Sequence, residues 1–427
     1  MKIQREYYLQ QLIERRENGL VKVVCGLRRC GKSYLLFQIY LDYLRGEGVD
    51  DDHIIQIALD DDQCSELRNP DNLSAFVRSR ISDRSSLYYL FIDEIQYAIS
   101  KEEMKNRDKP VRLYSVLNGL MRLGNVDIYV TGSNSRFLTT DVLTEFRGRG
   151  DEVHVFPLSF SEYIQGHGGT PERAWRDYLL YGGLPLTLSM ESDEDKSSYL
   201  KSLFEETYIA DITQRHRLKK HLDELRELLQ VVASSVGSLT SAQRLSDTFR
   251  SESRVGISRI TLGRYCRYFA EAFLVSQARR YDVKGRKYIN GQTKFYFEDV
   301  GLRNALLNFR QFEETHLMEN VIYNELRIRG YNVDVGVVDL RHAETDHQKV
   351  EIDFVANLGS KRYYLQSAFA IPDEEKRAKE IRPFRNVGDS FKKIVVTGNN
   401  TPVWRDENGI LTINVLDFLL DPDSLEL

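Results

Sequence analysis

The sequence predicts an α/β protein whose first third is a parallel sheet with helices on both faces, followed by helical segments and a smaller α/β region. Three observations carry this. Leu20-Val21-Lys22-Val23-Val24-Cys25 is a short apolar run of strand length that enters Gly26-Leu27-Arg28-Arg29-Cys30-Gly31-Lys32-Ser33 and then a helical pattern over 34–44. Leu87-Tyr88-Tyr89-Leu90-Phe91-Ile92-Asp93-Glu94 is a second apolar run, ending in two carboxylates. Val126-Asp127-Ile128-Tyr129-Val130-Thr131 is a third, and it runs into Gly132-Ser133-Asn134-Ser135. Ligands of open α/β sheets bind at such C-terminal strand ends.

The first of these runs meets the full requirements of a Walker A loop: strand, G-x-x-x-x-G-K-S, helix. Two glycines let the backbone wrap around phosphates with its N–H groups inward, and the helix N-terminus adds partial positive charge. The expected nucleotide-binding set is Gly26, Leu27, Arg28, Arg29, Cys30, Gly31, Lys32, Ser33 and Tyr34. Lys32 is expected to reach the β- and γ-phosphates, and the Ser33 hydroxyl to ligate Mg2+.

The second run reads as a Walker B strand, expected beside the first. Asp93 is the second expected metal ligand, directly or through water, and Glu94 the group that polarises the attacking water. At the end of the third run, Ser133 or Asn134 is the candidate for orienting that water. Between this run and a fourth strand over 151–156 lies Glu145-Phe146-Arg147-Gly148-Arg149-Gly150, where Arg149, ahead of Arg147, is the candidate arginine finger toward a neighbouring subunit. Asp60-Asp61-Asp62, after a strand over 54–59, reads as a solvated acidic turn.

Composition places limits on the rest. A chain of 427 residues exceeds the roughly 250 to 300 at which one core stops growing, so two or three domains are expected. With 41% apolar and 29% charged residues it is of ordinary globular composition. No apolar stretch approaches the ~18 residues of a membrane span, and a cytoplasmic location without membrane partners is the expectation. Cys25, Cys30, Cys64 and Cys266 have neither metal-ligand spacing nor the density of a disulfide framework, and read as reduced thiols. A net charge of −5 gives no global attraction to nucleic acid, so any such binding rests on a local basic surface.

Taken in order, residues 26–33 with their double arginine, Phe91-Ile92-Asp93-Glu94-Ile95-Gln96, Thr131-Gly132-Ser133, Gly148-Arg149, Phe156-Pro157-Leu158-Ser159-Phe160, Tyr181-Gly182-Gly183-Leu184-Pro185, residues 294–302 and Glu351-Ile352-Asp353-Phe354 resemble a widespread family of prokaryotic AAA+ P-loop ATPases. In that family the nucleotide-binding domain precedes a C-terminal domain of unknown function. The resemblance spans nearly the whole chain. It implies an ATPase core, a helical extension, a winged-helix segment and a nuclease-like α/β terminus, with ATP as the nucleotide; no base-specific motif separates ATP from GTP. AAA+ proteins often form rings, so a homo-oligomer is compatible with the pattern, as is a monomer.

The remaining patterns give expected domains of 1–158 (AAA+ core), 159–220 (helical lid), 221–312 (winged helix) and 313–427 (nuclease-like). Residues 161–220 read as helices broken at 166–170 and 181–185. Three helical patterns at 222–235, 241–250 and 258–270, then a hairpin over 273–297 turning at Val283-Lys284-Gly285-Arg286, follow the winged-helix order. Arg259, Arg264 and Arg267 on the third helix, and Arg279, Arg280, Lys284, Arg286 and Lys287 around the hairpin, suit the major groove and phosphates of double-stranded DNA. A solvated face, or one that contacts a protein partner, is the competing reading. A helix over 318–329 and strands over 333–338, 350–357 and 362–368 resemble a PD-(D/E)XK nuclease-like fold, with Asp353 and Glu319 as relic metal ligands. Where that pattern needs an acid and then a lysine, the chain has Gln366-Ser367-Ala368. A binding domain without cleavage is therefore expected, with Lys361 or Lys376 as the lysines that spatial migration would have to supply.

Two readings of the whole stay open: turnover of ATP that repositions the C-terminal domains on a partner, or a slow ATP-controlled switch. An ATP-dependent nuclease is third.

Overall fold

The computed structural model describes residues 3–427 except 101, 104–110, 133–149, 217, 219–220, 254–256, 344–345 and 399. The chain forms two compact units, Met1–Pro157 with Glu271–Phe273, and Leu158–Ala270 with Leu274–Leu427. No helix among the described residues is long and apolar enough to cross a membrane.

The first unit begins with α1 (Glu6–Glu14) and β1 (Val21–Cys25). A continuous helical run α2 follows, made of Lys32–Tyr34, a π-helical Leu35–Tyr40 and Leu41–Gly46. Then come β2 (Ile54–Ala58), α3 (Pro70–Arg80), β3 (Tyr88–Asp93), α4 (Arg112–Met121), β4 (Val126–Thr131) and β5 (Gly150–His154). The five strands form one sheet in the order β2-β3-β4-β1-β5, and every pairing is parallel. Strands buried on both faces read as unbroken apolar runs, which is why β1 and β3 were recognisable.

The order corrects one expectation: β3, with Asp93, does not lie beside β1, because β4 separates them. A buried ion pair makes this order physically reasonable. Lys22 projects from β1 with its side chain 0% exposed, and the carboxylate that neutralises it is Asp127 of β4, 3% exposed. Without that neighbour Lys22 would be a buried unpaired charge, which is costly.

The second unit starts with α5 (Phe160–His167), α6 (Pro171–Tyr181) and α7 (Asp193–Ser202), whose helical path continues to His216. Ser159 and Glu162 form a capping box at the start of α5. Next are α8 (Leu222–Ser234), α9 (Ala242–Ser253) and α10 (Arg259–Glu271), then the hairpin β6 (Val275–Asp282) and β7 (Lys287–Phe297). After α11 (Val300–Leu306) and α12 (Glu314–Ile328) come β8 (Asn332–Ala343), β9 (Asp346–Leu358), β10 (Lys361–Ala368), α13 (Glu374–Ile381), β11 (Lys392–Thr397), β12 (Trp404–Arg405), β13 (Leu411–Asn414) and α14 (Val415–Leu420).

Three helices and a hairpin do occur in the expected order, but the hairpin is not a free wing. β6 pairs in parallel with β8, so hairpin and C-terminal strands form one eight-stranded sheet, β12-β13-β11-β10-β9-β8-β6-β7. The break at 181–185 also has a specific cause. Gly182 has φ +75°, and a Cβ there would lie 2.3 Å from an oxygen of Asp299, the buried residue that precedes α11. Asp299 accepts from the N–H of Gly183 (2.8 Å) and of Leu302 (2.9 Å), so the glycine pair exists to let a buried carboxylate approach the turn.

Candidate nucleotide site

The loop between β1 and α2 holds a conformation that its glycines permit. Gly26 has φ +141°, and a Cβ there would meet the carbonyl oxygen of Val155 at 2.1 Å. Gly31 (φ +100°) and Arg29 (φ +63°) are also in the left-handed half of backbone space. Alternation of this kind makes a backbone concavity with N–H groups turned to one side. Lys32 is buried and donates to the carbonyls of Gly26 (3.1 Å) and Leu27 (2.9 Å). Ser33 and Tyr34 are exposed at the start of α2, with Arg29 exposed and Arg28 half-buried on the loop.

Arg5 braces this loop from below, and nothing in the sequence pattern pointed to it. It is 2% exposed and donates to the carbonyls of Cys30 (2.8 Å) and Phe156 (2.8 Å), so one guanidinium ties the Walker A loop to the chain after β5. Its fork geometry suits two acceptors at once. The thiol of Cys30 adds a contact to the carbonyl of Val155 (3.1 Å).

At the neighbouring strand ends, Asp93 is buried and accepts from the hydroxyl of Thr131, and the Ser33 hydroxyl lies near enough to favour its charged form. The Walker A hydroxyl and the Walker B carboxylate, 60 residues apart in sequence, are thus brought to one place. Burial pushes the Asp93 carboxyl above its ordinary range; the Thr131 and Ser33 bonds oppose this, and the charges of Glu94 and Asp60 add to it. Asp60 is exposed after β2, so the acidic turn does contribute field at the site.

Glu94 follows Asp93 in the left-handed conformation (φ 51°, ψ 54°), an uncommon state for a residue with a Cβ that is concentrated at functional sites. Its N–H donates to the Thr131 hydroxyl (3.0 Å), and its carboxylate accepts from the Gln96 amide. Thr131 thus serves the carboxylate of Asp93 and the backbone of Glu94 through one side chain. Sequence reasoning placed the polar function just beyond, at Ser133 and Asn134; these two, with Arg147 and Arg149, lie outside the described residues.

In the second unit, the two acids expected as relic metal ligands do come together, around Lys294 of β7. Neither expected substitute lysine is there: Lys361 pairs with Glu426 and Lys376 with Glu380. Among the described residues no group of three or more His, Cys, Asp or Glu side chains is arranged to hold a metal ion. On α10, Arg259, Arg264 and Arg267 are exposed, and Ile260 is 85% exposed beside them. Around the hairpin, Arg279 stacks over the Tyr288 ring and Arg280 donates to Gln292, while Lys284, Arg286 and Lys287 are exposed.

The residues present fit a nucleotide and its metal: an N–H-lined loop that a Cβ at Gly26 would disrupt, a lysine within the loop, and a hydroxyl against a carboxylate. Residues 18–164 match an AAA domain family, residues 172–313 a domain of unknown function (DUF8612) and residues 314–417 a second one (DUF4143). An uncharacterized protein of Haemophilus influenzae is 30% identical over 424 residues, covering 98% of each chain. Another, of Methanocaldococcus jannaschii, is 25% identical over 388 residues, 87% of this chain and 79% of that one. Among solved structures, a Walker-type ATPase of Pyrococcus abyssi aligns with TM-score 0.48 at 17% identity, over 72% of this chain and 96% of that one. The Aeropyrum pernix ORC1 protein in complex with DNA aligns with TM-score 0.28 at 14% identity, over 72% and 93%. The chain belongs to the family of its Haemophilus relative, and it carries an AAA-type P-loop ATPase domain followed by two domains of unknown function.

Proposed function

We propose that the chain binds ATP with Mg2+ and hydrolyses it, and that this cycle repositions its C-terminal unit on a partner. The observation that carries the reading is the convergence of Ser33, Asp93, Glu94 and Thr131 beside the loop that presents Lys32. On this reading Lys32 exchanges the Gly26 and Leu27 carbonyls for the β- and γ-phosphates, and the loop N–H groups from Gly26 to Ser33 orient the triphosphate. Ser33 and Asp93 hold Mg2+, which when bound neutralises charge on the phosphate oxygens. Glu94 accepts the proton of the attacking water, its backbone fixed by the Thr131 hydroxyl. Ser133 or Asn134 as the water-orienting group, and Arg149 as a finger within a homo-oligomer, complete the reading from sequence.

Double-stranded DNA is the partner we assign, because Ile260, Arg264 and Arg267 follow one another at i, i+4 and i+7 on an exposed helix face with Arg259 adjacent. A protein partner is the competing assignment. One observation favours the slow switch: the Gln96 amide occupies the carboxylate of Glu94, so the base is engaged before any substrate arrives. The steady-state ATPase rate of wild type, Lys32→Ala and Glu94→Gln, with and without mixed-sequence double-stranded DNA, decides among these. Turnover that both variants abolish and DNA raises supports the full reading. Tight ATP binding with no turnover under any condition replaces it with the switch.

A further inference from the structure

Lys294 is a buried lysine of the second unit surrounded by three carboxylates. Its ammonium lies 3.0 Å from Glu319 of α12, 2.5 Å from Glu351 and 3.2 Å from Asp353, both of β9, and its side chain is only 4% exposed. The carboxylates have further donors: the Tyr296 hydroxyl bonds the same Glu319 oxygen (2.7 Å), and the Ser367 N–H bonds the far oxygen of Asp353 (2.9 Å). An ammonium has three N–H donors and no lone pair. Two of them go to Glu319 and Asp353, and Glu351 adds a third carboxylate as an ion-pair partner, so the ammonium is committed to this group.

A hard divalent cation takes several carboxylate oxygens at roughly 2.0–2.6 Å, so it sits in the middle of such a group. Here the ammonium already lies there. Burial opposes the charge on Lys294, but Asp353, Glu319 and Glu351 more than offset it, and the group is held charged. Expelling it would require moving the side chain out from between α12 and β9.

We propose that Lys294 is the resident cation of this carboxylate group, standing in the place of a divalent metal, so that the second unit takes up no metal there and cuts no phosphodiester. The centre then joins the hairpin strand β7 to α12 and β9 as one rigid piece. This goes beyond the ATPase reading and does not depend on it. It also accounts for Gln366-Ser367-Ala368 in a different way: Gln366 and Ser367 serve Asp353 through hydrogen bonds with its backbone N–H (3.4 Å) and its carboxylate.

The test is a Mn2+ titration of the nucleotide-free full chain, with free Mn2+ read by electron paramagnetic resonance. An Asp93→Asn background removes the carboxylate expected to meet metal at the nucleotide site. The expected result is no uptake that responds to Asp353→Asn while Lys294 is present. With Lys294→Ala added, one Mn2+ is taken up and Asp353→Asn abolishes it, while the melting temperature falls by on the order of 10 °C because two buried acids and the half-buried Glu351 lose their counter-ion. Should Lys294→Ala not fold, Lys294→Met takes its place, and the arm with Lys294 intact still decides. Mn2+ uptake with Lys294 present that Asp353→Asn removes overturns the proposal. So does Mg2+-dependent cleavage of plasmid DNA that Asp353→Asn abolishes, or a folded lysine variant that takes up no Mn2+.

Discussion

Replacing Thr131 by valine isolates what one hydroxyl does for the Asp93 carboxylate and the Glu94 backbone. Valine keeps the shape of threonine, and Thr131 is fully buried at the end of β4, so packing is conserved. Two bonds are lost: the one donated to Asp93, and the one accepted from the N–H of Glu94. A buried N–H left without an acceptor costs about 1–3 kcal/mol, and the loss falls on a residue in the sparsely populated left-handed region, whose alternative is to relax. If ~1.4–2.7 kcal/mol of this appears in the transition state, turnover falls by about 10- to 100-fold. The Walker A loop makes no contact through this hydroxyl, so affinity for ATP should stay within about threefold of wild type on the same scale of energies. The assay pairs steady-state hydrolysis with a fluorescent ATP-analogue titration, and Thr131→Ser, which keeps the hydroxyl, should recover most of the rate. Turnover by Thr131→Val within twofold of wild type would refute the assignment of Thr131 as the group that positions Glu94.

Two further outcomes follow from buried polar groups. Burial raises Asp299 from the ordinary carboxylate range to about 6, against the backbone N–H bonds that favour its charged form. The folded state then holds a proton that the unfolded state releases, so this stability is full below about pH 4 and is lost as pH rises through 6. The loss is about 3 kcal/mol, read in urea melts between pH 4 and 7. Asp299→Asn should flatten that slope yet lower stability throughout, since its NH2 must face the N–H of either Gly183 or Leu302. Arg5→Ala should destabilise the first unit by about 3 kcal/mol and weaken ATP binding, with Arg5→Lys recovering only part, because one ammonium does not reproduce the guanidinium fork. Denaturant melts and the same analogue titration measure both effects.

The parts of the site legible in the sequence are those where local backbone geometry dictates residue type. Gly26 and Gly31 are needed for φ values that other residues avoid, and the apolar runs of β1, β3 and β4 are strands buried on both faces. Local patterns carry no information about which strands become neighbours. The insertion of β4 between β1 and β3, and the union of the hairpin with the C-terminal strands, depend on long-range pairs such as Lys22 with Asp127 and Arg280 opposite Val335. Lys294 was invisible for the same reason, lying 25 and 59 residues from the acids it joins. Thr131 ends a recognised run, but nothing local to that run encodes the meeting of its hydroxyl with Asp93 and the N–H of Glu94.

On the proposed function, Glu94 is the base of an ATP-hydrolysing site whose loop binds nucleotide independently of it. The most direct test measures ATP affinity and Mg2+-dependent turnover together for wild type, Glu94→Gln and Lys32→Ala. Glu94→Gln should keep wild-type affinity while its turnover falls by about 100-fold or more, and Lys32→Ala should lose binding. Turnover by Glu94→Gln within tenfold of wild type would contradict it.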